Sequence, residues 1–306
     1  MKTVTVSASR NYDIHIAGGL LAQTGKCISK LKTNCTVAVI SDSNVWPIYG
    51  NILRESLHKA GFHVVSYVIP AGEESKNGEN FLRLLSFLAQ NQITRADMLL
   101  ALGGGVVGDI AGFTAAAYLR GIHYIQVPTT LLAMVDSSVG GKTAFDLPEG
   151  KNLAGAFYQP SMVLCDIDIL TTLPEKEFIC GCAEVIKYGI LFDNSLFNHL
   201  NECGTAFDRE YVISRCVELK RDVVITDEFD TGERQLLNLG HTIGHSIEKN
   251  SNFAVSHGLA IAIGTAIITK ASAAYGYCEE ATLTSICRIL RKFNLPTETK
   301  LNANVL

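Results

Sequence analysis

From residue 36 to 166, short runs rich in branched residues alternate with segments of helical periodicity, and no other feature of the sequence limits the fold as strongly. TVAVIS (36–41), HVVSYVI (63–69), DMLLAL (97–102), HYIQVP (123–128) and SMVLCD (161–166) have strand character. ENFLRLLSFLAQNQ and VVGDIAGFTAAAYL, between them, have helical character. Strands that alternate with helices form a parallel sheet covered on both faces. After about residue 170 the strand signal fades, and PEKEFICGCAEVIKYGILF, REYVISRCVELKRDVV, ERQLLNLGHTIGHSIEK and GLAIAIGTAIITKASAAYG all carry apolar residues at helical spacing. The expectation is an α/β N-terminal domain with a parallel sheet over residues 1–168 and an all-α C-terminal domain over 169–306.

At 306 residues, 47% of them hydrophobic and 18% charged, the chain has apolar material for two cores and no composition of disorder. A net charge of −4, with both signs mixed along the chain, argues against a nucleic-acid partner. The nine cysteines form no paired CxxC motifs, so free thiols in a reducing cytoplasm are expected. The opening MKTVTVSASRNYDIHIAGG alternates like a strand and lacks the apolar core of a signal peptide. No uncharged apolar run reaches 18 residues, and the longest, Gly258 to Thr269, reads as a buried core helix. A soluble cytoplasmic protein without a membrane partner is expected.

Several short motifs carry chemistry. In NLGHTIGHSIE, His241 and His245 stand four apart with Glu248 three further on, so both imidazoles share a helix face. Such a pair holds a metal, works as acid and base, or fills a core. The zinc-protease pattern places Glu directly after the first His, where this chain has Thr242, so a protease is disfavoured. LGGGVVGD contains Gly103-x-Gly105-x-x-Gly108 between a strand and a helix, the context in which glycines admit a pyrophosphate to a helix N-terminus. Tight strand–helix packing is the competing explanation. The acidic residue that usually follows about 20 positions later to read a ribose is missing, and Asp42, after an earlier strand, can take that role.

VDSSVGGKT places Asp136 and Lys142 on either side of a Gly-Gly bend, GKNLAGAF carries Lys151 and Asn152, and AEVIKYG sets Glu184 and Lys187 at i, i+3. Singly, each is more often a solvated surface or a structural salt bridge. With Arg120, Lys220 and Arg234 they supply enough cations for a dianionic phosphate and a carboxylate. Glu184, His241 and His257 together make a two-nitrogen, one-oxygen set suited to Zn²⁺ with positions left for substrate.

PAGEESK, ALGGGVVGDIAGFTAAAYLRG, QVPTTLLAMVDSSVGGKTAFD, GKNLAGAFYQP, CAEVIKYGIL and LNLGHTIGHSIE, in this order and spacing, closely resemble the 3-dehydroquinate synthase family of the sugar phosphate cyclase superfamily. The resemblance implies a Rossmann-like domain joined to a helical one, a homodimer, NAD, and a divalent metal, normally zinc with cobalt as a substitute. The implied substrate is a small sugar phosphate, 3-deoxy-D-arabino-heptulosonate 7-phosphate, converted to 3-dehydroquinate and phosphate in the shikimate pathway of aromatic amino acid biosynthesis. Transient oxidation, β-elimination of phosphate, reduction, ring opening and aldol closure are implied in turn. The implied metal ligands are Glu184, His241 and His257. Asp42, Asn44, Glu73, Lys76, Gly104, Gly105, Asp109, Thr129, Thr130 and Lys151 resemble the cofactor contacts. Asp136, Lys142, Asn152, Lys187, Arg234 and His245 resemble catalytic residues, and Arg120, Lys220 and Asn238 substrate-binding ones, Arg120 reaching across a dimer interface in some relatives.

The chain departs from the family pattern at Leu259, where an acid is common, and at Asp230, where the acid is usually Glu. Family members also continue through an Asp-Lys-Lys segment that contributes a substrate lysine, and such a tail is expected in the natural protein. Two alternatives belong to similar architectures. One is another sugar-phosphate cyclase; the other is a metal-dependent polyol dehydrogenase, which accumulates NADH and tends to have Asp as its first ligand.

Overall fold

The alternation of strand and helix is realised as one seven-stranded sheet in the order β1-β2-β9-β6-β5-β3-β4. The computed structural model describes residues 1–251 and 254–302, which form two compact units, Met1–Leu173 and Pro174–Leu306. The first unit contains β1 (Lys2–Ser7), β2 (Asn11–Ala17), α1 (Thr24–Ile28), β3 (Thr36–Asp42), α2 (Trp46–Lys59), β4 (His63–Ile69), α3 (Gly78–Gln90) and β5 (Met98–Gly103). It continues through α4 (Gly105–Ala117), β6 (His123–Pro128), β7 (Lys142–Leu147), β8 (Gly150–Phe157) and β9 (Met162–Asp166). Only β1 with β2 runs antiparallel in the large sheet; every other pairing there is parallel.

Burial explains the strand sequences. Every residue of β5 and β9 is buried, as expected of strands covered on both faces, so their sequences run apolar without alternation. The edge strand β1 alternates, with Val4 and Val6 inward. Ile40, Leu99, Ala101, Ile110 and Tyr124 belong to one core cluster, each fully buried isoleucine or leucine contributing about 1.5–3 kcal/mol.

The chain leaves β3 for β4 on one side and, after α3, returns to place β5 on the other. The carboxyl ends of β3 and β5 therefore flank the point where strand order reverses, the position at which open α/β sheets take their ligands.

The hairpin of β7 and β8 was not apparent in the sequence, which has Lys142, Lys151 and Asn152 in loops. Those residues lie on paired strands. Phe145 of β7 packs with Phe81 of α3 and Phe113 of α4, ring centroids 5.2 and 5.7 Å away, and this aromatic trio holds the hairpin against the helices.

The second unit contains α5 (Glu175–Phe192), α6 (Asn194–Cys203), α7 (Arg209–Thr226), α8 (His241–Asn250), α9 (His257–Ala274) and α10 (Glu280–Lys292), with no strand among its described residues. Asp193 and Asp208 cap α6 and α7, their carboxylates accepting the first free amides of each helix. α9 is the one helix among the described residues long and apolar enough to cross a membrane by length and composition; 50% of it is buried within the fold.

Candidate active site

Glycines are packing devices before they are anything else at the end of β5. A side chain at Gly103 would meet Val107 at 2.6 Å, and one at Gly108 would meet the Gln126 amide at 2.9 Å. The packing explanation of the glycine motif therefore holds for those two positions. Gly104 and Gly105 differ: they lead into the N-terminus of α4, at the switch point, where the first amides of the helix have no internal partner. Asp42 ends β3 at the same switch point, and its Oδ1 accepts the Asn44 and Val45 amides at 2.8 and 2.9 Å, shaping the turn into α2. Thr129, just past β6, has a buried hydroxyl with no hydrogen-bond partner among the described residues, and Thr130 Oγ1 accepts the Ala133 amide at 3.1 Å. A buried, unpartnered hydroxyl beside a strand end and a glycine-led helix fits a bound dinucleotide.

A second group surrounds Lys76, whose side chain is 5% exposed. Its ammonium lies 3.1 Å from Asp109, 3.4 Å from Glu73 and 3.9 Å from Asp146, while Lys151 reaches Glu73 at 3.4 Å. Burial works against the Lys76 charge, yet the three carboxylates outweigh it and hold the proton far more tightly than usual. Asp146 Oδ1 also accepts the Asn152 amide at 2.8 Å, which secures Asn152 at a left-handed φ of +57°. Glu73 and Lys76, three residues apart, are thus brought together with Asp109 and Lys151 from distant parts of the chain. Asp146 completes them and was not recognisable, since no local pattern marks it.

The remaining candidates of this unit are placed separately. Asp136 sits in a π-helical turn, Ala133–Ser137, a local irregularity common at functional sites. Gly140 and Gly141 follow at φ +90° and +67° and turn the chain so that Lys142 opens β7 exposed to solvent. Arg120 is exposed at φ +66°, ahead of β6.

In the second unit small residues make the site possible. A side chain at Gly244 would meet Ile261 and Ala260 at 2.8 and 3.2 Å, so α8 and α9 pack in near-backbone contact. Gly240, at φ +78°, turns the chain into α8, and a side chain there would meet the Thr265 amide at 2.7 Å. His241, the first residue of α8, and His257, the first of α9, consequently face each other with ring centroids 5.4 Å apart.

Both rings present the same atom to Glu184, a fully buried residue of α5. His241 Nε2 lies 3.8 Å and His257 Nε2 3.6 Å from Glu184 Oε1. The other nitrogens are committed elsewhere: His241 Nδ1 donates to the Leu239 carbonyl at 3.2 Å, and His257 Nδ1 to Glu248 Oε2 at 3.1 Å. Each ring therefore turns its Nε2 toward the carboxylate, and one ligand atom from each of the three residues lies within 4.8 Å of the others. This donor set fits a divalent ion such as zinc.

Lys187, 2% exposed, forms an ion pair with Glu184 one helical turn away. Burial pushes the His241 pKa down to about 4 against the pull of Glu184, keeping it neutral as a ligand must be. Burial acts the same way on His257, but Glu184 and Glu248 overcome it and raise that pKa to about 9, so without a metal a proton sits between the ring and the carboxylates.

His245 is exposed at 56% and stands beside both rings, its centroid 5.3 Å from His241 and 5.9 Å from His257. Arg234 is buried, donating from Nη1 to the Glu228 carbonyl at 2.5 Å and from its amide to Asp227 at 3.1 Å. Lys220 is buried on α7, and Asn238 is exposed at the end of the 3₁₀ turn before α8. Leu259, in the first turn of α9, is half-buried, and the Asp230 carbonyl accepts from the Gln235 amide at 3.4 Å.

Known proteins resemble the whole chain. Residues 66–180 match the family model described as 3-dehydroquinate synthase N-terminal, and residues 181–306 the one described as 3-dehydroquinate synthase C-terminal. The 3-dehydroquinate synthase of Pelobacter propionicus is 46% identical over 304 residues, covering 97% of this chain and 85% of the relative. That of Clostridium acetobutylicum is 46% identical over 302 residues, with the same coverage. Among solved structures, 2-deoxy-scyllo-inosose synthase complexed with carbaglucose-6-phosphate, NAD⁺ and Co²⁺ superposes with a TM-score of 0.91 at 26% identity, covering 99% of this chain and 84% of its own. The 2-epi-5-epi-valiolone synthase of Streptomyces hygroscopicus, with NAD⁺ and Zn²⁺ bound, gives 0.90 at 26% identity, covering 99% and 86%.

Proposed function

The chain belongs to the 3-dehydroquinate synthase family, and we propose that it converts 3-deoxy-D-arabino-heptulosonate 7-phosphate to 3-dehydroquinate and phosphate. The first unit serves as the NAD-binding domain and the second as the metal- and substrate-binding domain. The observation that carries this reading is the convergence of His241 Nε2, His257 Nε2 and a Glu184 carboxylate oxygen on one point. These three residues hold the divalent metal. Asp42, Asn44, Glu73, Lys76, Gly104, Gly105, Asp109, Thr129, Thr130 and Lys151 form the NAD site, supported by the switch-point placement of Asp42 and the glycines and by the unpartnered Thr129 hydroxyl.

Bound NAD supplies a hydride acceptor that returns its hydride within each turnover, and the metal supplies Lewis acidity toward a substrate hydroxyl. The protein's own residues do the rest. Lys142, Asn152, Lys187, Lys220, Arg234 and Asn238 bind the phosphate, carboxylate and hydroxyl groups of the substrate and confine it to one reactive conformer. Asp136 and the exposed His245 handle protons at the substrate. Arg120 binds phosphate from an exposed position, in keeping with a homodimer in which it serves the partner's site. All nine cysteines are free thiols, as a cytoplasmic location would maintain.

The test is phosphate release from 3-deoxy-D-arabino-heptulosonate 7-phosphate with zinc and catalytic NAD, while NADH absorbance is followed. Phosphate and dehydroquinate in equal amounts, without net NADH, are expected. Accumulating NADH would indicate a dehydrogenase, and turnover of a different sugar phosphate alone would indicate another cyclase.

A further inference from the structure

Glu248 has no role in the chemistry above, yet it is a carboxylate only 2% exposed, and such groups are costly to bury without a compensating partner. It lies three residues after His245 and seven after His241, on the α8 face that carries both. Its Oε2 accepts from His257 Nδ1 at 3.1 Å and stands 4.0 Å from His245 Nε2. The two ring ligands are therefore backed differently. A neutral backbone carbonyl, that of Leu239, receives the Nδ1 proton of His241, and an anion receives that of His257.

We propose that Glu248 is the positioning residue of the metal site, acting through His257 to set how tightly the ion is held. The proposal rests on the assignment of Glu184, His241 and His257 as ligands. A carboxylate at Nδ1 does two things for an imidazole ligand. It keeps the proton on Nδ1, so that the lone pair stays on Nε2, and it raises the basicity of that lone pair more than a carbonyl does, because a charge-assisted hydrogen bond is roughly twice as strong as a neutral one.

It also holds the ring plane. His257 is the first residue of α9 and is half-buried, so the helix fixes its backbone but leaves its ring to be oriented by neighbours. Ser256, just before it, bonds Cys180 of α5 at 2.9 Å, and a side chain at Gly258 would run into the Cys180 carbonyl. These contacts place the start of α9 on α5 near Glu184; Glu248 then aims the ring.

The test uses whole protein stripped of metal with a chelator, then titrated with Zn²⁺ against a chromophoric competitor and with Co²⁺ by visible absorption. Glu248→Ala is expected to weaken Zn²⁺ binding toward 100-fold and Glu248→Gln about 10-fold, within the ~10–100-fold range of such partners. In a His257→Ala background the same changes are expected to move affinity by less than about twofold, because the path through the ring is gone. A merely structural carboxylate would cost the same in both backgrounds, and that result would overturn the proposal. So would wild-type affinity in Glu248→Gln, the variant that decides the matter if Glu248→Ala does not fold. A second equivalent of Co²⁺ abolished by Glu248→Gln, with the first retained, would make Glu248 a ligand itself and also overturn it. Failure of the ligand assignment looks different: stoichiometric binding would be absent from the wild type or would survive Glu184→Gln and His241→Ala.

Discussion

The two buried polar clusters are built from opposite inventories. Around Lys76, one buried ammonium is surrounded by Glu73, Asp109 and Asp146, and Lys151 adds a second cation. Opposite charges meet directly, and the group is held together by its own members. Around Glu184, a carboxylate paired with Lys187 also faces the Nε2 atoms of two imidazoles. Lone pairs turned toward a carboxylate repel it unless a cation or a proton lies between them. Glu184 and Glu248 raise the pKa of His257, which favours a proton there in the metal-free protein. The comparison teaches that buried charge is organised in two ways: the charges of the first cluster already pair with one another before any ligand arrives, whereas the second turns two imidazole nitrogens toward a carboxylate and takes a cation or a proton between them.

Breaking the second cluster should have the largest effect. Glu184→Gln removes the anionic ligand, and activity should fall by about 10³-fold or more, the equivalent of several kcal/mol of metal-assisted charge stabilisation. Steady-state assays over a range of zinc concentrations measure this; a fully active, metal-loaded variant would sink the ligand assignment.

Lys76→Met tests the first cluster. It leaves three carboxylates facing one another without their central cation, and the variant should lose about 3–5 kcal/mol of stability, measured by denaturant unfolding. A loss below about 1 kcal/mol would mean that the cluster is not self-contained.

Asp97 sharpens the contrast, because its hydrogen-bond partners are N–H and O–H donors. Burial favours its neutral form, but the Thr36 and Thr94 amides and the Thr94 hydroxyl outweigh that and hold its pKa below the usual value. A depressed folded-state pKa adds stability above the unfolded-state pKa and loses it as pH falls through the folded-state value. Asp97→Asn should therefore cost about 1–3 kcal/mol at neutral pH and flatten the acid limb of the stability profile. Equal losses for wild type and variant between neutral pH and about pH 3 would contradict this.

The smallest expected effect lies away from all charges. α3 ends with Ile93 N–H bonded to the Leu88 carbonyl and Gln92 N–H to that of Ala89, which places Gln92 at φ +54°. Gln92→Gly should raise stability by about 1 kcal/mol, seen as a higher denaturation midpoint.

Much of the fold was legible because it depends on local repetition. β3, β4, β5, β6 and β9 fall within a residue of the runs that announce them; β3, β5, β6 and β9 are apolar because they are covered on both faces, and the edge strand β4 is marked by its run of β-branched and aromatic residues. The β7–β8 hairpin was not legible: its strands are half-exposed and carry no continuous apolar run, and it is secured by Phe81, Phe113, Lys76 and the Asp146–Asn152 bond, all contributed from a distance or by the hairpin itself.

The site shows the same division. His241 and His245 are visible as a pair because helical spacing joins them, yet the candidate metal group with a fully buried carboxylate joins His241 to His257 and Glu184, from two other helices. Only the family resemblance pointed to that choice with any force. Glu248 was visible as a residue of the motif but not as a partner of His257, because the contact depends on how closely α8 and α9 pack.

The most direct test of the central claim is anomalous scattering at the zinc edge from crystals of the zinc-loaded protein. The account predicts one peak within about 2.0–2.2 Å of His241 Nε2, His257 Nε2 and a Glu184 carboxylate oxygen, and none at the Lys76 cluster. A peak lying elsewhere, or no peak beside Glu184 in active protein, would contradict it.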